Sequence, residues 1–372
     1  MIIGVPKEIK PQECRVGVVP HSVQALVKQG HDVIVEREAG VGTGIPDAEY
    51  VAAGARMTND AKFVYAEADI IVKVKEPQPS EWSLLRENHV LFAYLHLAPN
   101  AALTAALIQS RCTAIAYETV TNQDGSLPLL APTSEVAGRL SIQAGAHALE
   151  KASGGCGILL GGVQGVVPAK VVVIGGGHVG EQAVLIAMGM QANVTVLDRS
   201  ESRLHALIRK FGPRLTTAIA TPETIEAECI TADLVIGAVL VPGATAPKLL
   251  SRAALKRMRP GSVLVDVAID QGGCFESSRP TTHQNPTYIE DHVVHYCVMN
   301  MPAAVPRTST FALNNATLPY ILQLANKGVT QALLGDEYFL TGLNIHRGLV
   351  THPAVAKDLN YHFTPPREAL AE

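Results

Sequence analysis

The sequence predicts an α/β protein of two doubly wound domains, the second inserted into a discontinuous first. Three observations carry that reading. Short apolar, strand-like runs alternate with helix-like stretches from the N-terminus onward, a Gly-rich turn sits between a strand and a helix near the middle of the chain, and the pattern returns to long helix after the last strand-like run. With 372 residues, 47% of them hydrophobic and 17% charged, there is ample core for two domains. A formal net charge of −4 and the lack of any Lys/Arg-rich run argue against nucleic acid or an anionic membrane as the main partner, leaving small molecules.

In order, the strand-like runs fall at Ile2 to Val5, Asp32 to Val35, Asp69 to Val74, Val90 to Leu95 and Thr113 to Tyr117, with helix-like segments such as His21 to Gln29 and Ala101 to Gln109 between them. A long helical pattern, Ser134 to Ala152, leads into Gly154 to Gly165 (GGCGILLGGVQG), which reads as a connecting helix followed by a hinge. The next strands are expected at the run from Lys170, at Asn193 to Leu197, Leu234 to Val239, Ser262 to Ala268 and Val294 to Val298. Beyond Pro306 the pattern turns helical, most clearly at Thr308 to Lys327 and Pro353 to Leu359. The expected boundaries are therefore 1–130 with 307–372 for one domain and 131–306 for the other.

The stretch KVVVIGGGHVG, Lys170 to Gly180, gives the inserted domain its chemistry. A β-branched strand runs into Gly175-x-Gly177-x-x-Gly180 and directly into a helical segment. The first glycine allows the tight turn, Gly177 lets the backbone approach a pyrophosphate, and Gly180 permits close packing of helix on strand, with the helix N-terminus offering N–H groups to phosphate. The following strand ends at Asp198, eighteen residues beyond Gly180, where a carboxylate that binds the ribose is expected. The domain is thus Rossmann-like and selects NAD. Against the 2′-phosphate of NADP, a charge about 4 Å from Asp198 at an effective dielectric near 20 would be repelled by roughly 4 kcal/mol, softened somewhat by Arg199.

Other absences narrow the class. Cys14, Cys112, Cys156, Cys229, Cys274 and Cys297 show no CxxC pairing, which suits a reducing compartment and offers no zinc framework. The N-terminus MIIGVPKEIK lacks a charged segment followed by a long apolar one, and no uncharged apolar run reaches spanning length, so a cytoplasmic location without a membrane partner is expected.

The segments MIIGVPKEIKPQECRVGVVP, AGVGTGIPDAEY, VKVKEP, YLHLAP, DVAIDQGGCFESSRPTTH and MNMPAAVPRTST, together with the Gly-rich turn, resemble bacterial alanine dehydrogenase across nearly the whole chain. The related nucleotide-binding subunit of proton-translocating transhydrogenase shares only part of the set. The resemblance implies two Rossmann-like domains, reversible oxidative deamination of L-alanine to pyruvate and ammonium with NAD, and a homohexamer.

Holding an amino acid requires fixed positive charge for its carboxylate, and Arg15 and Lys75 follow the first strand and the strand Asp69 to Val74 respectively. Taken alone, each reads as a solvated surface cation; the resemblance places both at substrate-binding positions. His96 lies where the strand Val90 to Leu95 opens into a loop, suited to hydrogen-bonding a developing oxygen and shuttling its proton. Asp270 follows the strand-like run Ser262 to Ala268 and precedes Gln271-Gly272-Gly273. By resemblance it orients or deprotonates the water attacking the iminium, with His96 as acid/base partner. Without the resemblance, Asp270 could be a loop residue capping a helix. Its rival Asp266, inside the strand, could equally be a buried carboxylate satisfied by backbone donors.

The resemblance also implies cofactor contacts. Ser134, His178 and Val179 would touch phosphates, Val239 and Leu240 the adenine or ribose side, Arg203 and Arg279 the adenosine and pyrophosphate regions. Val267, Ala268, Ile269 and Asp270 with Val298, Met299, Asn300 and Met301 would surround the nicotinamide. Three positions depart from the family pattern: Ala303 stands where glycine is expected, Ala220 where a hydroxyl is expected, and Gln323 with Lys327 where some members present a metal-holding Glu and His pair, so no metal site is expected. Two other readings stay open: a same-fold enzyme for another amino or keto acid, its pocket set near Tyr94, Tyr117 and Met299, and a transhydrogenase-like NAD(H)-binding subunit.

Overall fold

The computed structural model of the protein describes residues 1–239 and 245–371. Its strands in chain order are β1 (Ile2–Val5), β2 (Asp32–Glu36), β3 (Arg56–Thr58), β4 (Ile70–Val72), β5 (Val90–Ala93), β6 (Thr113–Ala116), β7 (Lys170–Ile174) and β8 (Asn193–Asp198). There follow β9 (Thr216–Ile219), β10 (Leu234–Gly237), β11 (Val263–Asp266), β12 (Thr287–Glu290), β13 (Val293–Tyr296), β14 (Leu343–His346) and β15 (Leu349–Val350). The chain divides into two compact units, Met1–Thr133 with the chain from Val305 onward, and Ser134–Ala304.

The first unit contains a sheet of order β15-β14-β6-β5-β4-β1-β2-β3, the second a sheet of order β12-β13-β11-β10-β7-β8-β9. Pairings among β1 to β6 are parallel, as are those joining β7 to β11 and β13. Each sheet therefore holds a six-strand doubly wound core in which the chain builds outward from one strand, returns, and builds the other way. The reversal falls between β1 and β4 in the first sheet and between β7 and β10 in the second. In open sheets of this kind, ligands bind outside the strand carboxyl ends at the reversal. Val171 to Ile174 and Leu234 to Ile236 are wholly buried, which is why these strands read as continuous apolar runs rather than alternating ones.

Several elements differ from the sequence expectation. The run Asp69 to Val74 pairs only as β4, and Lys75 lies three residues beyond it. The run Ser262 to Ala268 stops at Asp266, where a 3-10 turn, Val267–Gln271, begins. The connecting helix spans Ala131–Ala148, and Lys151–Ser153 is a separate 3-10 turn. The chain beyond Pro306 is not purely helical. β14 and β15 form an antiparallel pair laid against β6, and β12 pairs antiparallel with β13, so both sheets carry an antiparallel edge. LNIH and LV are too short to display a period; the open edge of β6 makes LNIH a strand, and LNIH in turn pairs LV.

Candidate active site

In the first unit, the loops leaving β1, β4, β5 and β6 at their carboxyl ends carry Arg15, Lys75, His96 and Glu118. The ring of Tyr94 is their common neighbour. Lys75 Nζ lies 5.9 Å from its centroid, and the His96 imidazole stacks on it at 6.1 Å and 5°. Tyr117 meets it edge-on at 5.1 Å. The Tyr94 hydroxyl donates to the Leu129 carbonyl at 2.5 Å and lies 3.2 Å from Thr133 Oγ1. Burial pushes this phenol well above its ordinary range, so it stays neutral, while the Arg15 charge acts in the opposite sense. A buried, neutral, hydrogen-bonded ring is a rigid platform for the groups around it.

Arg15 is not a solvated cation. It is 2% exposed, and its guanidinium binds the Glu13 carboxylate through Nε–Oε1 at 2.7 Å and Nη2–Oε2 at 2.6 Å. Lys75, partly buried, is held through its backbone: Glu8 Oε1 accepts the N–H groups of Val74 (2.6 Å) and Lys75 (3.2 Å). The other Glu8 oxygen accepts from Lys73, a fully buried lysine that also pairs with Glu81 at 3.2 Å. Burial pushes the Glu8 carboxyl above the usual carboxylate range against the pull of Lys73. His96 has φ 47, a left-handed conformation for a non-glycine residue, and its N–H donates to Glu118 Oε1 at 2.6 Å.

Glu8, Glu13, Lys73 and Glu118 are the residues that sequence reasoning missed. Nothing local separates the structural Lys73 from Lys75 in VKVKEP, since Glu8, which accepts from the Lys73 ammonium and the Lys75 N–H, lies 65 and 67 residues from them in sequence. Glu13 alone had a readable signal, an acid two residues before the candidate arginine.

In the second unit, β7 enters the turn at Gly175, whose φ of 98 suits glycine. A Cβ on Gly180 would lie 1.8 Å from the Gly175 carbonyl oxygen, so this glycine is required by helix on strand packing. Among the described residues, a Cβ on Gly177 would meet no atom within 4 Å. The packing of the described residues does not demand glycine there, which fits a position kept bare for a phosphate at the N-terminus of the helix His178–Gly189. Asp198 Oδ2 accepts the Gly176 N–H at 2.7 Å and Oδ1 that of Ser200 at 2.8 Å, which holds the carboxylate at the end of β8 beside the turn. Arg203 Nε donates to the Gly176 carbonyl at 2.5 Å, and its Nη2 pairs with Glu181. The residues present therefore fit a dinucleotide with a free ribose 2′-hydroxyl.

Asp266 and Asp270 divide cleanly. Asp266 is fully buried and accepts from the N–H groups of Ala268 (3.0 Å) and Cys274 (2.8 Å) and from Ser278 Oγ (2.5 Å), a structural carboxylate that caps the 3-10 turn. Asp270 is exposed on that turn, and the Asn300 N–H donates to it at 3.1 and 3.4 Å. Asn300 (φ 55) is the left-handed residue of its segment, whereas Ala303 is absent from the positive-φ residues and sits in the 3-10 turn Met301–Ala304. Alanine at 303, where glycine was expected, therefore carries no positive-φ strain.

The remaining candidates fall in the second unit too. Ser134 is on the first turn of the helix Ala131–Ala148, Val239 is partly buried just past β10, and Leu240 lies outside the described residues. The Arg279 guanidinium stacks over Tyr288 at 4.1 Å. Val298 and Met301 are buried while Met299 is 48% exposed. The Ala220 N–H donates to the Asp198 carbonyl at 3.0 Å, which ties that position to Asp198 through the backbone. In the first unit, Gln323 Nε2 donates to the Ala332 carbonyl at 3.0 Å, and Lys327 ends its helix.

The models of the alanine dehydrogenase/PNT N-terminal and C-terminal domains match residues 4–137 and 141–353. The chain belongs to the alanine dehydrogenase/PNT family. It is 57% identical over 357 residues to the alanine dehydrogenase of Halomonas elongata, covering 96% of each chain. It is 50% identical over 371 residues to that of Mycobacterium tuberculosis H37Rv, covering 100% of each. Among solved structures, an L-alanine dehydrogenase superposes with a TM-score of 0.94 at 50% identity over 97% of this chain and 99% of that one. A transhydrogenase from Sinorhizobium meliloti gives 0.82 at 27% identity over 95% and 100%. The family thus accounts for both doubly wound units.

Proposed function

We propose that this chain catalyses the reversible NAD-dependent oxidative deamination of L-alanine to pyruvate and ammonium. Whole-length identity of 50–57% to relatives named alanine dehydrogenase carries the substrate assignment. In the first unit, Arg15 and Lys75 provide fixed charge for the substrate carboxylate, and His96 holds or moves the proton at the reacting oxygen. In the second, Asp270 orients the water that adds to the iminium and takes its proton. Ser134, His178, Val179, Asp198, Arg203, Val239, Leu240 and Arg279 hold the adenosine and phosphate portion of NAD. Val267, Ala268, Ile269 and Val298, Met299, Asn300 and Met301 enclose the nicotinamide. When bound, the nicotinamide supplies the hydride acceptor for the substrate Cα, and no protein side chain needs to react with that hydride.

On this reading residues 1–130 and 307–372 serve the substrate and 131–306 serve NAD. Among the described residues no helix is long and apolar enough to cross a membrane. A cytoplasmic homohexamer completes the proposal by family resemblance, and a stable monomer by light scattering would remove the assembly.

The test is NADH absorbance with ammonium and a panel of 2-keto acids, alongside His96→Ala and Asp270→Ala. Pyruvate is expected to be the best substrate, and both variants are expected to lose turnover while binding NADH. Preference for another keto acid would overturn the substrate, and NADH binding with no turnover on any acid would leave a binding subunit.

A further inference from the structure

Among the groups beside the site, Glu118 is tied most directly to a proposed catalytic residue. β5 and β6 are parallel neighbours with Ala93 opposite Ala116, so the loops that follow them leave the same sheet edge side by side. His96 lies three residues past that pair on one loop, and Glu118 two residues past it on the other, within the 3-10 turn Tyr117–Thr119. The turn is itself anchored, since Asn344 Nδ2 donates to Thr119 Oγ1 at 2.8 Å. The Glu118 carboxylate accepts the Leu95 N–H at 3.1 and 3.3 Å and the His96 N–H at 2.6 Å, and its Oε1 lies 3.8 Å from His96 Nδ1. Two successive amides aimed at one carboxylate hold the chain in the turn that gives His96 its φ of 47. The side chain is only 14% exposed while that of His96 is 49% exposed, so the anchor is sheltered and the group it anchors is open.

We propose that Glu118 is the positioning residue of His96. It fixes the left-handed strand end and keeps Nδ1 on its own side, so that Nε2 is the nitrogen presented to substrate. The inference rests on the reading of His96 as the acid/base group.

The experiment compares Glu118→Ala, Glu118→Gln and His96→Ala in pyruvate amination, with KM, NADH affinity and melting temperature measured on each. Glu118→Ala removes the acceptor of both amides, and a misplaced acid/base group is expected to lower kcat by about 100-fold. The KM for pyruvate and the NADH affinity should stay within about twofold, because Arg15, Lys75 and the dinucleotide turn have their own partners. Glu118→Gln keeps an acceptor oxygen and should recover about tenfold of that loss. It also keeps the question answerable if the alanine variant fails to fold. A Glu118→Gln enzyme as slow as His96→Ala with its other properties unchanged would overturn positioning in favour of a direct chemical role for the carboxylate, and a parallel fall of kcat, pyruvate and NADH affinity and melting temperature would overturn it in favour of a general structural role. Near wild-type kcat in the Glu118 variants with an inactive His96→Ala would overturn positioning alone. An active His96→Ala would instead sink the catalytic reading on which it rests.

Discussion

The two units reach the same topology and build their candidate chemistry from opposite materials. The second works with backbone: three glycines, a helix N-terminus and a carboxylate that binds the turn's own amide. The first works with side chains, where Arg15 is locked to Glu13, Lys73 lies between Glu8 and Glu81, and His96 is held by Glu118. A backbone site is written in one strand, turn and helix and the end of the next strand, Lys170 to Asp198. A side-chain site is assembled from loops tens of residues apart, each ionic group needing a buried partner to offset its desolvation. The units should therefore fail differently when perturbed, one through loss of bare space and the other through orphaned charge.

The largest effect is expected from Gly180→Ala. Its methyl would sit 1.8 Å from a backbone oxygen that no side-chain rotation can move, so the helix must separate from β7. A loss of about 5 kcal/mol or a failure to accumulate folded protein is expected. Gly177→Ala is the control within the same turn. It should leave stability within about 0.5 kcal/mol yet weaken NADH binding at least about tenfold, because the methyl meets no described atom and would stand where the phosphate is proposed to sit. Urea titration and NADH fluorescence measure the two, and equal stability losses would erase the distinction between a packing glycine and a binding glycine.

Arg15→Met tests the first unit's material. Removing the guanidinium strips the buried Glu13 carboxylate of the charged hydrogen bonds from Arg15, leaving the Arg15 backbone N–H at 3.0 Å, and a loss of about 3–5 kcal/mol is expected from thermal or urea unfolding. Adding Glu13→Gln should restore part of that stability but none of the pyruvate affinity. Full retention of stability in the single variant would mean that Arg15 is exposed to solvent after all.

Acid sensitivity should draw on both units. His89 in the first and His295 in the second are fully buried, and burial pushes each down to about 4 from an ordinary 6.5. Arg86 adds to the effect on His89, while the Arg279 charge contributes more weakly to that on His295. Because each folded-state value lies below the unfolded one, the unfolded chain binds more protons between about 4 and 6.5, so stability falls as pH drops through that window and is insensitive to these groups above it. Each contributes up to roughly 3 kcal/mol. His89→Gln and His295→Gln should each flatten the melting temperature against pH in that range, and an unchanged slope would count against burial of the neutral ring.

The same contrast explains what could be read beforehand. Gly175, Gly177, Gly180 and Asp198 announce themselves because the constraints on them are local: a positive φ, a contact along the turn, a fixed distance to the end of the next strand. His96 and Lys75 were legible as residues near strand ends, but Glu118 and Glu8 were not, since only the order of strands brings them close. β14 was missed for a similar reason. Its four residues are a strand by virtue of β6, and nothing in LNIH alone says so.

The smallest expected effect falls at Ala303, where the resemblance leads to an expectation of glycine. Ala303 follows the left-handed Asn300 but lies in a 3-10 turn and is 6% exposed. Where the backbone is ordinary, glycine brings no relief from strain; it removes a buried methyl and frees the unfolded chain. Ala303→Gly should therefore lower stability by about 0.5–1 kcal/mol and leave NADH affinity unchanged. The measurement is a paired melt and NADH titration. Tighter NADH binding by the glycine variant would show that the turn must pass through a left-handed conformation at 303 when the cofactor is present, and that the alanine here opposes it.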